Sequence, residues 1–326
     1  MSNLRTDIPI LYLVVPCYNE EEVIEKSAST MLNKLHRLIE EGKVKKGSKI
    51  LFVNDGSADS TLTILHRLAD GNSEFGVLSF VSNYGHQSAI LAGMMTAKKY
   101  ADIVVTIDAD LQQDIEALDK FIAAYMNGCE VVYGVRNDRD TDGFAKKTTA
   151  TMYYKLMHAL GSNVLTNHAD YRLMSKKALE ALSEYEESAL FLRGLIPTMG
   201  FASDVVYFDV KEREAGSSKY TFKKMMTLAM DGITSMSIRP LRIITGLGFV
   251  TVLAALIMVI ITFIDWCKGN NIMGYTTTLM VTLIIGGVTI LSLGIVGEYI
   301  GKIYMETKKR PRYLIDTLVL KDVNEQ

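Results

Sequence analysis

From Ile243 to Ile264 the chain carries no charged residue, and 22 residues of helix extend about 33 Å, the depth of a bilayer's hydrocarbon core. A second uncharged span runs from Tyr275 to about Val296, and only the short polar connector "DWCKGNNIMG" separates the two. Soluble helices this long and apolar on every face are uncommon. The sequence therefore predicts a hairpin of transmembrane helices, about 243–264 and 275–297, within a segment 241–300. Arg239 and Arg242 precede the first span, and Lys302, Lys308, Lys309, Arg310 and Arg312 follow the second. The connector offers only Lys268, so the positive-inside rule places both termini in the cytoplasm. Gly297 and Gly301 form a small-xxx-small spacing suited to close helix packing, within the hairpin or between copies of the chain in a homo-oligomer.

The 326 residues leave ample chain for a cytoplasmic domain over 1–215, followed by a juxtamembrane region 216–240 and a basic tail 301–326. In the juxtamembrane region Phe222, Met225, Met226, Ala229 and Ile233 share one helical face flanked by Lys219, Lys223 and Lys224. Such a helix lies in the headgroup layer or packs on the domain. The net charge of −2 offers no basic field for nucleic acid. Cys17, Cys129 and Cys267 lack disulfide or zinc spacing, which fits a reducing compartment. The N-terminal run "PILYLVVPC" is too short, and too soon followed by Glu20–Glu22, for a signal peptide.

The first half alternates strand-like runs ("ILYLVVP", "KILFVND", "VLSFVSN", "DIVVTID", "EVVYGVR") with helical segments at about 20–41, 59–69, from His86 and from Asp114. Runs apolar on both faces predict an α/β fold, a mostly parallel sheet covered by helices on both faces. Ligands of such sheets sit beyond the carboxyl ends of the strands. That rule picks out Pro16 to Glu20, Asn54 to Ser57, Asn83 to His86, Asp108 to Gln112 and Gly134 to Arg136 as one polar rim. Asp108 and Asp110 close the fourth run, where mutual repulsion is costly. Hard oxygens there suit Mg²⁺ or Mn²⁺, which keep waters and bridge to substrate phosphates. The simpler roles are turn closure by Asp110 and capping by Asp114, and capping is the reading taken for Asp114.

"VVPCYNEEEVI", "FVNDGSADST", "SNYGHQSAILAGM" and "DADLQQD", in this order, resemble family 2 glycosyltransferases of the GT-A fold. "YGVR", "ADYRLMSKKALEAL", "EREAGSSKYTF" and "GIVGEYIGKIYMETKKRPRY" narrow the resemblance to the polyprenyl-phosphate group, which holds bactoprenol glucosyltransferases and dolichol-phosphate mannose synthases. The resemblance implies a multi-pass enzyme of a bacterial-type inner membrane. It places Pro16, Tyr18, Asn19 and Glu20 near the base and ribose, and Asp55 on uracil or ribose. Asn83, Tyr84 and Gly85 form the next nucleotide-facing loop, with His86 a helix cap and Gln87 unassigned. The implied metal ligands are Asp108, Asp110 and the Gln112 side-chain carbonyl. Arg136 and Arg172 would receive the lipid phosphate together with Arg213, Ser218 and Lys219, and Asp170 would be a base or an orienting group.

The implied reaction moves a hexose, inverting its anomeric carbon, from a nucleotide sugar to a polyprenyl phosphate such as undecaprenyl phosphate. UDP-glucose leads, with UDP-GlcNAc, UDP-galactose and GDP-mannose as other donors. An aspartyl-phosphate phosphatase would need its motif on the first strand. A processive polysaccharide synthase would need a Gln-x-x-Arg-Trp motif, and the single tryptophan is Trp266, outside the cytoplasmic domain. A membrane scaffold that binds sugar nucleotide without turnover is the non-enzyme alternative.

Overall fold

The computed structural model describes residues 4–137, 168–187, 191–209, 239–268 and 274–321. The described residues fall into two compact units, one holding residues up to 209 together with 311–321, the other 239–268 and 274–310. The juxtamembrane stretch from 216 to 238, with Arg213, Ser218 and Lys219, lies outside the described residues.

In the first unit β1 (Leu11–Cys17), β2 (Lys49–Asn54), β3 (Phe75–Phe80) and β4 (Ile103–Thr106) alternate with α1 (Ile24–Glu40), α2 (Thr61–Gly71), α3 (His86–Ala97) and α4 (Ala117–Met126). Then come β5 (Val131–Arg136), β6 (His168–Ser175), α5 (Lys176–Ser183), α6 (Leu192–Thr198) and β7 (Ser203–Phe208). A last strand, β8 (Ile315–Val319), follows the second unit in sequence. The eight strands form one sheet in the order β7-β5-β6-β4-β1-β2-β3-β8.

β1 is buried throughout, as a strand covered on both faces must be. Leu11, Leu13 and Val15 join the core cluster that contains Ile24, Met31 and Leu35 of α1 and Phe121 of α4. On the opposite face, Gly93 brings the α3 backbone so near the sheet that a Cβ there would stand 2.3 Å from Val14. The α/β reading of the sequence matches this architecture.

Two strands depart from the parallel pattern, and one of them matters for chemistry. β6 pairs antiparallel with both β4 and β5, bringing Arg172 opposite Thr106 and His168 opposite Val135. Its amino end therefore lies beside the carboxyl ends of β4 and β5. β8 pairs antiparallel with β3, so the segment expected as a basic tail contains a strand of the sheet.

In the second unit α7 (Arg239–Cys267) and α8 (Tyr275–Thr307) follow the expected hairpin spans, both running past them. Among the described residues one stretch, Ile284–Thr307, is long and apolar enough to cross a membrane. Its mean hydropathy reaches 1.7 over an 18-residue window, none of which is buried. Among the described residues, nothing stands within 4 Å of where a Cβ would sit on Gly297 or Gly301.

At the edge of the β2 tip, Gly56 holds φ +62°, and a Cβ there would meet the Ser82 carbonyl carbon at 2.5 Å. Gly56→Ala is expected to cost about 2 kcal/mol from left-handed strain and the backbone collision. Thermal melting of the detergent-solubilised protein measures it.

Candidate active site

The tips of β1 and β2 are stapled together by side chains that accept from backbone. Asn19 adopts φ 53°; its N–H donates to Ser57 Oγ at 3.0 Å, and its Oδ1 accepts from the Ala58 N–H at 2.9 Å. The Glu20 N–H donates to Thr61 Oγ1 at 2.9 Å. Pro16 is buried within β1, Glu20 is half-buried, and Tyr18 is 45% exposed. Asp55, buried, braces the next loop: its carboxylate accepts from the Tyr84 N–H at 2.7 Å and the Gly85 N–H at 2.9 Å. Asn83 Nδ2 donates to the Asp55 carbonyl at 3.1 Å. Burial pushes the Asp55 carboxyl up while these backbone donors pull it down, leaving it raised.

Gly85 ends this loop at φ 90° and precedes the first turn of α3, which has no side-chain cap. His86, expected as that cap, instead turns its ring toward two carboxylates. Its Nε2 is 3.7 Å from Asp108 Oδ1 and 3.6 Å from Asp170 Oδ2. Burial lowers the imidazole's affinity for a proton, but Asp170 and Asp108 outweigh it and hold the pKa above its ordinary value.

Past β4, the Ile107 N–H still donates to Val14, and the chain then folds into a tight loop. The Asp108 N–H donates to Gln113 Oε1 at 2.9 Å, and Gln113 Nε2 donates back to Asp108 Oδ2. Leu111 takes φ 48°, and the Gln112 N–H donates to Asp110 Oδ1 at 3.2 Å. Asp110 thus closes the turn anticipated for it, and Asp114 accepts from the Glu116 N–H at 3.2 Å just before α4. The Asp108 side chain is 33% exposed. Its carboxyl is raised chiefly by burial, against His86, with the Asp170 and Asp110 charges adding to the rise. Among the described residues no three His, Cys, Asp or Glu side chains close into a metal cage. Carboxylate oxygens of Asp108 and Asp110, close enough for Asp110 to raise the Asp108 carboxyl, are hard donors that suit a divalent ion keeping part of its water shell.

Asp170, near the amino end of β6, is the most heavily bonded carboxylate at this rim. Oδ1 accepts from Arg172 Nη2 at 2.5 Å and from Arg193 Nε at 3.1 Å. Oδ2 accepts from Arg193 Nη2 at 2.7 Å and from Gln87 Nε2 at 3.1 Å. Burial alone would raise this carboxyl, but Arg193, His86 and Arg172 together hold it well below the usual carboxylate range. It is therefore an anion at neutral pH and a poor proton acceptor.

Arg172 needs correction. The sequence placed it on the acceptor phosphate, yet it is fully buried, with Nη1 aimed at the Leu192 carbonyl at 3.4 Å. No incoming anion reaches a side chain so enclosed; its ionic partner is Asp170. Arg193, on α6, is the guanidinium that remains 37% exposed beside that carboxylate. Arg136 ends β5 with an exposed side chain. The structure thus gathers Asp108 and Asp170 around His86, and groups Asp55 with Asn83, Tyr84 and Gly85. Sequence reasoning passed over Arg193, Gln87 and Gln113 and gave His86 another role; the one visible signal was an arginine alone in the apolar stretch "FLRGLI".

An acidic, cation-braced rim at the strand tips lies where sheets of this kind bind their ligands. Residues 12–183 match the Glycosyl transferase family 2 domain and residues 239–303 the GtrB C-terminal hairpin. A Bacillus subtilis protein described as the uncharacterized glycosyltransferase YkoT is 46% identical over 96% of this chain and 93% of its own. The bactoprenol glucosyl transferase of Shigella phage SfX is 40% identical over 93% of this chain and 97% of its own. The Escherichia coli K12 prophage bactoprenol glucosyl transferase homolog is 39% identical over the same shares. The chain belongs to glycosyl transferase family 2, and it is a membrane-associated glycosyltransferase of GT-A fold.

Removing one partner from a buried ion pair strands the other charge. Arg172→Met is expected to destabilise the protein by about 3 kcal/mol, and adding Asp170→Asn to recover part of the loss, read by denaturant or thermal melting. Asp170 has a folded pKa below its ordinary 3.8, so its stabilisation is fully present above pH 3.8. It disappears only as pH falls through the lowered value, and it should not vary across neutral pH.

Proposed function

We propose that this enzyme transfers a hexose, with UDP-glucose the leading donor, to a polyprenyl phosphate with inversion at the anomeric carbon. The observation that carries the reading is a rim where Asp108, beside Asp110, faces Asp170, a carboxylate already neutralised by arginines. Full-length likeness to proteins named bactoprenol glucosyl transferases supports the acceptor class and the sugar.

Asp108, Asp110 and the Gln112 side-chain carbonyl would hold Mg²⁺ or Mn²⁺. When bound, that ion supplies charge neutralisation for a diphosphate leaving group. The stapled β1 and β2 tips would frame the nucleotide, with Tyr18, Asn19 and Glu20 on one side and Asn83, Tyr84 and Gly85 on the other. Asp55 fixes the second group through its two backbone donors.

The acceptor's chemistry assigns the remaining roles. A phosphate monoester has a second pKa of about 6, so the attacking oxygen is already largely ionised at neutral pH. A base is not required, which agrees with an Asp170 that binds protons poorly. Asp170 orients Arg193, and Arg172 fixes Asp170 from beneath. Arg193 and Arg136 would offer guanidinium forks, better matched to phosphate than lysine. Arg213, Ser218 and Lys219 would complete the acceptor pocket. Alignment and charge stabilisation supply most of the acceleration. The basic flanks of α7 and α8 support a two-span topology with the catalytic unit in the cytoplasm.

Purified protein incubated with labelled UDP-glucose, UDP-GlcNAc, UDP-galactose or GDP-mannose and undecaprenyl phosphate should give labelled glycolipid with UDP-glucose first. Nucleotide binding without lipid-dependent nucleoside diphosphate release would instead describe a scaffold. Asp110→Ala should lower transfer about a hundredfold or more, and chelation should abolish activity that Mg²⁺ or Mn²⁺ restores. Arg136→Ala should raise the KM for lipid phosphate while sparing that for the donor; an unchanged lipid KM would remove Arg136 from the pocket.

A further inference from the structure

β8 adds little to the core. All of its residues except Val319 are exposed, so burial does not explain why the chain returns to the sheet there. It is nevertheless pinned along its length. Leu320 covers Gly76, where a Cβ would stand 2.4 Å from its Cδ2. Lys49 Nζ donates to the Lys321 carbonyl at 2.7 Å, and Lys321 Nζ donates to the Ala69 carbonyl at 2.9 Å. At the other end Arg312 donates to the Tyr185 carbonyl, and the Val81 N–H donates to the Leu314 carbonyl at 3.2 Å.

That last bond carries the pairing to within a residue of the loop 82–85. There a ladder of rings continues it. Tyr313 stacks on Phe80 with centroids 5.2 Å apart and planes 15° from parallel. Phe80, itself buried, meets Tyr84 edge-on at 5.6 Å and 90°. Tyr84 then gives its backbone N–H to Asp55. On its far side the same loop lies against Gly56, whose missing Cβ permits the Ser82 backbone to approach. The loop is thus held between the β2 tip and the returning strap.

We propose that the strap 311–321 positions the donor-binding loop, and that Tyr313 is a positioning residue acting through Phe80 and Tyr84. Stacked and edge-on ring pairs fix orientation as well as distance, which a single backbone hydrogen bond does not. The strap therefore sets the angle at which the Tyr84 and Gly85 N–H groups face Asp55, and with it the shape of the nucleotide side of the rim. This rests on the proposed donor site at Asn83 to Gly85.

The experiment uses the full-length enzyme in detergent, with UDP-glucose and undecaprenyl phosphate varied separately. Tyr313→Ala should raise the donor KM about threefold to tenfold, the worth of one lost ring pair, with kcat and lipid KM unchanged. Tyr313→Phe should restore the donor KM, because the ring face and not the hydroxyl is used. Tyr313→Leu, which keeps apolar bulk, should behave as the alanine variant and replaces it if that protein does not accumulate. An unchanged donor KM, a fall in kcat alone, or a Phe variant as impaired as the others overturns the inference. Asn83→Ala, measured alongside, separates the two levels. If it raises the donor KM while Tyr313→Ala and Tyr313→Leu do not, only the strap's role fails; if it too has no effect, the donor site itself is misplaced and the inference falls with it.

Discussion

A buried negative charge that four side chains must satisfy organises this site. Asp170 draws Arg172 from its own strand, Arg193 from α6, and His86 and Gln87 from α3. Three separate elements are thereby fixed around one carboxylate. Burying an ion costs several kcal/mol unless its bonds are complete, so the arrangement tolerates little variation. Its position follows from topology. Only an antiparallel strand lodged between β4 and β5 delivers a residue near its amino end to the rim where parallel strands deliver their carboxyl ends.

The consequence is a division of labour among carboxylates that look alike in sequence. Asp55 is spent on backbone donors and shapes a loop. Asp114 closes the turn before α4. Asp170 is held ionised by cations, which suits orientation better than proton abstraction. At Asp108 burial raises the carboxyl, as at Asp55, and the charges of Asp170 and Asp110 add to the rise. A divalent ion would offset it, and the same ion would suit a diphosphate.

Much of this was legible in the residues. Apolar runs of β-branched character placed β1 to β5 within a few positions, because strands buried on both faces leave an unmistakable pattern. The polar residues after each run marked the rim. β6 escaped notice because "HADYRLMS" carries Asp170 and Arg172, a pair that reads as surface until each is seen to neutralise the other inside. β8 escaped because an exposed edge strand following a membrane helix has neither alternation nor burial to announce it. Arg172 was assigned by charge type, which says nothing of depth. Arg193 was missed because its partner lies 23 residues away in the chain and on another element.

The most direct measurement is Mn²⁺ binding followed by electron paramagnetic resonance, with purified protein titrated in the presence and absence of UDP. An acidic rim built to seat a cation against a nucleotide diphosphate should bind Mn²⁺ more tightly once UDP is present, and Asp108→Asn should erase that tightening. Mn²⁺ affinity indifferent to UDP, or unaltered by the substitution, would contradict it.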